Sequence, residues 1–394
     1  MTIQFIDDID VQGKKVFVRA DFNVPLDQNL NITNDNRITA TVPTLQYILD
    51  NGGAVIAASH LGRPKGKTVP AMSLAPVARR LSEVLGREVG FVDDCISDEA
   101  VEKAGALAPG RVLLLENLRF YDEETNNDEA FARKLGAAAD VFINDAFAVT
   151  HRAHASVEAI TRVVPVCGAG FLMKKEITNF NRAMQDPERP LAAVIGGAKV
   201  SGKLEVLENL IGKVDSLLIG GAMAFTFLKA RGYEVGGSLV EDDLIETARQ
   251  VMAGAEERGV TVLLPSDCVI AEEIKAGVTT KTVSVADIPR GWKGLDIGPE
   301  TAAAFNRAIS EAKTIVWNGP MGVFEIEEFS KGTFDVADAV AASSALSIVG
   351  GGDSVSALKA SGNQEKVSFV STAGGAFMEM MEGKVLPGIA ALDR

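Results

Sequence analysis

Short, almost uninterrupted apolar runs recur along this chain, each followed by a longer segment with helical spacing. In the first half the runs are "KKVFVRADFN", "GAVIAASHLGR", "RVLLLENLRF" and "DVFINDAF". In the second they are "LAAVIGGAK", "SLLIGGAM", "TVLLPSD", "TIVWNGP", "LSIVGGGDS" and "VSFVST". Runs of this kind suit strands buried on both faces of a parallel sheet, not strands with one wet face. The segments between them, such as "SLAPVARRLSEVLG" and "DDLIETARQVMAGAEERG", carry the 3.6-residue period of amphipathic helices. Strand alternating with helix predicts an open, doubly wound α/β sheet. The pattern occurs twice, without obvious sequence repetition. A polar helical stretch, "FLMKKEITNFNRAMQDPERP", lies between the two sets and is expected to end near Pro187 and Pro190. With 394 residues there is chain enough for two domains.

Open α/β sheets bind ligands beyond the carboxyl ends of their strands, and here those ends differ. First-half runs end in or lead to Asp21 and Asn23, His60 and Arg63, Arg119, and His151, Arg152 and His154. Second-half runs end in glycine: "GGAK", "GGAM", "NGPMG", "GGGD" and "STAGG". One half offers charged side chains and the other bare backbone, which suggests two different ligands.

In the glycine-rich half, Gly197, Gly202 and Lys203 match G-x-x-x-x-G-K, but Leu204 stands where a metal-binding Ser or Thr is needed. Val200, Leu204, Leu207 and Ile211 have helical spacing, which predicts a helix with Lys199 and Lys203 on one face of its first turn. Lysines there oppose the helix dipole, and a bound anion would resolve that conflict. A metal would need another ligand. Asp353 in "GGGDS" suits Mg²⁺, which commonly takes one or two carboxylates plus substrate phosphates; Asp353 or Ser354 could equally cap the helix "SVSALKASG". "STAGGAFMEMMEG" repeats the strand–glycine–helix arrangement, and its amides could cradle a phosphate.

In the charged half, Arg37, Arg63, Arg119 and Arg152 with Asp21, Asn23 and His60 suit a small polyanion that also carries a hydroxyl. Arginine binds phosphate and carboxylate bidentately. A single arginine would more simply be a surface ion pair; the set together points to a site. His151 and His154 are expected to orient Arg152 or cap a turn, since no metal-ligand spacing supports zinc. No Ser–His–Asp pattern supports acyl hydrolysis.

The net charge of −14 weighs against general binding of nucleic acid or anionic membranes. No apolar run reaches membrane-spanning length, and "MTIQFIDDID" lacks the regions of a signal peptide. Three scattered cysteines (Cys95, Cys167 and Cys268) form no framework, so a reduced cytoplasmic protein is expected.

The ordered set "VRADFNVP", "RITATVPT", "ASHLGRP", "LLENLRF", "THRAHAS", "VIGGAKVSGK", "LLIGGAMAFTFL", "LDIGPET", "TIVWNGPMGVFE", "GGGDS" and "LPGIAAL" resembles the phosphoglycerate kinase family over nearly the whole chain. The resemblance implies two Rossmann-like domains across a wide cleft. These are residues 1–170 binding 3-phosphoglycerate or 1,3-bisphosphoglycerate, a hinge helix over 171–185, and residues 186–379 binding MgATP or MgADP, with 380–394 folding back onto the first domain. It assigns Asp21, Asn23, Arg37, His60, Arg63, Arg119 and Arg152 to the glycerate site. Lys199 and Lys203 go to the nucleotide phosphates and the transferring group, and Gly220, Gly221, Asn318 and Pro320 to the nucleoside. Glu325 goes to a ribose hydroxyl, Gly351, Gly352 and Ser354 to the nucleotide, and Asp353 to Mg²⁺. Arg37, Lys199, Lys203, Gly374 and Gly375 are the implied catalytic groups, and a monomer is implied. On this basis the G-x-x-x-x-G-K match is accidental.

An acceptor carboxylate is already ionised at pH 7, so the absence of an evident general base is consistent with this chemistry. Two positions depart from the family pattern. Ala373 stands where glycine is common, a source of strain if φ must be positive, and "FAVTHRAH" differs before the first histidine. Two rival classes are weighed. A dinucleotide-dependent dehydrogenase is disfavoured because no G-x-G-x-x-G follows any strand. A non-catalytic sugar-phosphate binder would need the arginines but not Lys203 or Asp353.

Overall fold

The computed structural model describes residues 3–393. The chain divides into two compact units: one runs to Ile177 and takes in the chain again from Val385, and the other is Thr178–Lys384. Among the described residues, the first unit contains one parallel six-stranded sheet. Its strands are β1 (Lys15–Arg19), β2 (Ala54–Ala58), β3 (Val89–Val92), β4 (Val112–Leu115), β5 (Val141–Asn144) and β6 (Val166–Ala169), in the order β3-β4-β2-β1-β5-β6. Phe17 of β1 lies opposite Ile56 on one side and Phe142 on the other. β2, β4 and β5 are buried at every residue, as their unbroken apolar runs predicted. The chain moves outward from β1 to β2 and later returns to β5 on the other side, so the switch point lies between β1 and β5.

Helices cover the sheet for reasons visible in the sequence. Ala75–Leu85 starts with Pro76 in its first turn and ends at Gly86, whose φ of +60° closes the C-terminus. Its Val77, Ala78, Leu81 and Leu85 face the core. Helix Phe171–Met184 crosses the division between the units. It starts where Phe171 N donates to Thr44 Oγ1 (2.9 Å) and Leu172 N to Asp145 Oδ1 (2.9 Å). It ends just before Asp186-Pro187, where the residue before proline resists helical geometry.

The second unit contains β7 (Leu191–Ile195), β8 (Ser216–Ile219), β9 (Thr261–Leu263), β10 (Asp267–Ala271), β11 (Lys281–Ser284), β12 (Lys293–Ile297), β13 (Thr314–Asn318), β14 (Leu346–Val349) and β15 (Phe369–Val370). Six of these form a parallel sheet, β15-β14-β13-β7-β8-β9, with the switch point between β7 and β13. β10, β11 and β12 form a separate antiparallel sheet, order β11-β10-β12. The periodicity did not predict this sheet: β11 is largely exposed, and none of the three has a long apolar run. It packs its own core, including Phe225, Leu228, Cys268, Ile270 and Val285.

Three local expectations need correction. The helix after β7 begins only at Leu204 and ends at Leu210. Lys203 is its cap and Lys199 stands in the preceding turn, because Lys203 N bonds Val200 O (2.8 Å) and closes a tighter turn first. Neither Asp353 nor Ser354 caps the helix Gly352–Ala360; Gly351, at φ +95°, precedes it. Ala373 sits at φ −124°, so no left-handed strain arises there.

Candidate functional site

In the first unit, polar side chains gather beyond the strand ends at the switch point. Asp21, just past β1, accepts from Arg37, which lies in the first turn of helix Asn36–Asp50. Asn23 Oδ1 accepts from Gly62 N (2.9 Å), and Arg119 donates to Gly62 O (3.0 Å), so one residue, Gly62, joins the loops after β1, β2 and β4. Arg152 Nε is 3.0 Å from His151 Nε2. Burial, with the nearby charges of Arg19 and Arg152, pulls the Arg119 guanidinium down to about 10. It therefore stays charged through neutral pH. Arg119 Nε is buried with no protein partner, and an unpaired buried donor is expensive unless something fills it. Burial and the fields of Arg19, Arg119 and Arg37 hold His60 well below the usual histidine range, hence neutral. Arg63 is exposed and makes no hydrogen bond or ion pair among the described residues.

Beneath this cluster is a network the sequence reading missed. Arg19 and Glu124 are both fully buried. Arg19 Nε donates to Ser156 Oγ (2.8 Å), and Ser156 donates through Oγ and N to Glu124 (2.6 and 2.9 Å). An arginine inside an otherwise apolar strand run, "VFVR", was the available signal, because a buried cation must find partners.

In the second unit the groups are mostly backbone. Gly221, at φ +68°, lies so close to Gly197 that a Cβ would sit 2.6 Å from its N and O. Gly351 likewise leaves no room beside Asn318 Nδ2. Lys203 Nζ donates to Asn318 Oδ1 and lies 3.3 Å from Met378 Sδ. Asn318 is buried and its Nδ2 donates to Gly350 O (2.8 Å). Ser354 Oγ accepts from Gly319 N (2.6 Å). A Cβ on Gly374 would be 3.8 Å from Gly352 N, so helices Gly352–Ala360 and Gly374–Met381 begin side by side. Gly352, Asp353, Gly374 and Gly375 are exposed there. Burial pulls Lys203 down to about 8, against the opposing pull of Asp353 and Glu382. A partly desolvated lysine near two helix starts is a candidate anion site.

Lys199 is exposed, and its turn is held from outside: Ser201 donates through N and Oγ to Glu241 (3.0 and 2.6 Å). A cavity of about 460 Å³ opens beside these groups, with Gly221, Phe225, Leu239, Pro320, Glu325 and Asp353 in its wall. That volume falls within the usual range for small-molecule pockets. Phe225 and Leu239 were not foreseen; they come from segments whose meeting depends on the small antiparallel sheet. Gly220 and Asn318 stand outside the cavity wall.

Two doubly wound parallel sheets, each with its polar groups beyond the strand ends, one cation-rich and one glycine-framed, define a two-unit α/β protein with a candidate ligand site in each unit. Comparison with known proteins narrows the class. The family model for phosphoglycerate kinase matches residues 6–384. The chain is 57% identical over 396 residues to phosphoglycerate kinase of Geotalea daltonii, covering 100% of this chain and 99% of that one. It is 57% identical over 394 residues to the Geobacter metallireducens protein of the same name, with the same coverage. Phosphoglycerate kinase from Coxiella burnetii superposes with a TM-score of 0.94 at 41% identity over 99% of both chains. That from Pyrococcus horikoshii gives 0.82 at 33%, covering 98% of this chain and 97% of the other. The chain belongs to the phosphoglycerate kinase family, as its motifs implied, and is thus a kinase, a glycolytic transferase.

Proposed function

We propose that the protein catalyses reversible, Mg²⁺-dependent phosphoryl transfer between ATP or ADP and the carboxylate of 3-phosphoglycerate, forming 1,3-bisphosphoglycerate. The observation that carries this is Lys203: half-desolvated, bonded to Asn318, and beside a cavity of nucleoside size. In this proposal Asp21, Asn23, Arg37, His60, Arg63, Arg119 and Arg152 hold the glycerate. Arg119 is the best supported of these, through its unpaired buried Nε. Lys199, Lys203 and the amides of Gly374 and Gly375 receive the phosphates, and Gly221, Pro320 and Glu325 hold the nucleoside. Gly220, Asn318, Gly351, Gly352 and Ser354 shape the surrounding turns.

The exposed Asp353 carboxylate, in the cavity wall and within the field of Lys203, fits a cation that takes most of its oxygens from nucleotide and water. Mg²⁺ held there would offset phosphate charge. Because the acceptor is already an anion, the protein's task is positioning and charge cancellation, not proton abstraction. Arg37 and Lys203 are the side chains we assign to that task.

We further infer that the helix Phe171–Met184 is part of a hinge, since ligands held by separate units must meet during turnover. Scattering that shows no compaction with both substrates bound would overturn this. We take residues 1–170 and 186–379 as the substrate and nucleotide domains; Met381 is buried in the core of the second unit, so of the expected segment 380–394 only the chain from Val385 belongs to the first. Gly388 N donating to Thr150 O (2.8 Å) supports the last point. The three cysteines are free and buried, which supports a cytoplasmic site of action; a monomer is the family expectation. Among the described residues no helix is long and apolar enough to cross a membrane.

The testing assay supplies MgATP and 3-phosphoglycerate and couples 1,3-bisphosphoglycerate to NADH oxidation through a dehydrogenase. Activity that disappears without 3-phosphoglycerate or without Mg²⁺ is the expected result. Turnover of neither substrate by folded protein would reject the proposal.

A further inference from the structure

His60 is 3% exposed, and its Nδ1 lies 3.1 Å from a terminal nitrogen of Arg19. A guanidinium has five N–H donors and no acceptor. For that contact to be a hydrogen bond, Nδ1 must be the acceptor and carry no proton, and the ring proton must be on Nε2. Arg19 is not free to turn away. Its Nε is committed to Ser156 Oγ (2.8 Å), its other terminal nitrogen donates to Ala20 O, and Ser156 is anchored on Glu124 (2.6 Å). All three network side chains are fully buried. His60 Nε2 has no protein partner among the described residues.

We propose that Arg19 is a positioning residue that locks His60 in the neutral Nε2–H tautomer, so that His60 meets the substrate as an uncharged hydrogen-bond donor and not as one more cation. This rests on the glycerate-site assignment above and deepens it. The group that His60 would meet is an oxygen acceptor on a small phosphorylated hydroxy acid: its hydroxyl or carboxylate.

The surroundings agree. The charged and titratable groups facing His60 are Arg19 from β1, Arg37 from helix Asn36–Asp50, Arg119 from the turn after β4, and His154; the Arg19, Arg119 and Arg37 charges oppose protonation of the ring, as does burial. Asp21 and Glu124 offset the arginines but are each engaged, with Arg37 and with Ser156. A neutral donor adds recognition without adding repulsion to an already crowded set of cations.

Because the chain has three histidines, the tautomer can be read directly. In protein labelled with ¹⁵N-histidine, with H60Q used for assignment, long-range ¹H–¹⁵N spectra should show His60 with an unprotonated Nδ1 and a protonated Nε2 from pH 8 to 5.5. An Nδ1–H tautomer, or an imidazolium at pH 7, overturns the proposal. R19K and S156A test the cause. Each should mix the tautomers or move the His60 titration upward, and add to the pH dependence of the KM for 3-phosphoglycerate between 5.5 and 8 a component beyond the substrate phosphate's own titration at about 6, which is all the unmutated enzyme should show. Unchanged spectra and a KM profile matching that of the unmutated enzyme in both variants overturn the role of Arg19.

H60A should raise the KM for 3-phosphoglycerate about tenfold, the range of one hydrogen bond to a charged group, and H60Q, which retains an N–H donor, should recover most of it. Recovery absent in H60Q overturns the donor role. If R19K does not fold, S156A carries the test alone. The spectra need no turnover, so an inactive enzyme with a locked His60 would reject the proposed function and leave the tautomer standing.

Discussion

In the proposed function the two units solve one problem, holding a polyanion, with opposite materials. The first uses long side chains: Arg37, Arg119 and Arg152 crowd together, and each must be kept from collapsing onto its neighbours or onto Asp21. It therefore needs a second layer beneath, Arg19, Ser156 and Glu124, fully buried and hydrogen-bonded. The second uses amides at two adjacent helix starts with two lysines, the exposed Lys199 and Lys203, which Asn318 holds. Amides carry no net charge, so they can be packed side by side without repulsion, but they must be bare. The lesson is where each unit is fragile. The first should fail when a charge or its buried support is removed, and the second when a methyl group is added.

The largest expected effect is in the first unit. Arg37 is 41% exposed at its side chain and ion-paired with Asp21, so it can leave that partner for a ligand at small cost. Arg37→Ala should lower turnover by about 10³-fold, by analogy with arginines that stabilise transferring phosphoryl groups. A loss below tenfold, with the circular dichroism spectrum and melting unchanged, removes Arg37 from catalysis.

Gly221→Ala is the matching break in the second unit. Its positive φ alone costs about 1–2 kcal/mol for a residue with a Cβ. The added carbon would also press on Gly197 and on Pro320 O at 2.6 and 2.9 Å. The KM for MgATP should rise at least tenfold while that for 3-phosphoglycerate stays within twofold. Equal loss for both substrates would mean that the methyl disturbs more than its own unit.

These two substitutions also mark what could be read in advance. The parallel sheets were legible because buried strands must be apolar throughout, and the strand-end chemistry because open sheets present ligands there. Gly221 was visible as part of "LLIGGAM". Arg19 was not singled out, and Glu124 sits in "DEETNN", which looks like solvated surface; its partner Ser156 is 32 residues away. Such supports are set by tertiary contact, not local pattern. The same holds for the antiparallel sheet that supplies part of the cavity wall, and for Lys199, whose turn is held through Ser201 by Glu241, forty residues beyond Ser201.

A pH profile sharpens the contrast without mutation. Lys203 loses its proton near 8 because burial disfavours its charge, whereas Arg119 holds its proton to about 10. Anionic phosphates favour the charged lysine, so affinity for ADP, measured by calorimetry, should fall several-fold from pH 7 to 9. Affinity for 3-phosphoglycerate should hold over the same range. Stability moves the other way. The folded-state value lies below the ordinary lysine value of 10.5, so between about 8 and that value the unfolded chain binds the extra proton, and stability rises with pH as the buried charge is relieved. Parallel loss of both affinities would point to a change shared by the two units.

The smallest effect is expected at Ala373. Glycine's common place at this position in the family suggested a left-handed backbone, yet φ is −124° with ψ 86°, which is not left-handed and carries no positive-φ penalty for alanine. The residue is 1% exposed, and its carbonyl accepts from Phe377 N (2.9 Å), the first bond of helix Gly374–Met381. The glycines that follow it, Gly374 and Gly375, are exposed. Ala373→Gly would leave their amides unchanged and give the unfolded chain more freedom, a cost of roughly 0.4–1 kcal/mol. Turnover should stay within twofold and the melting temperature should drop by a few degrees. A several-fold gain in turnover would instead show that alanine restrains the start of this helix, and that the backbone site is tuned by the residue preceding its glycines as well as by the glycines themselves.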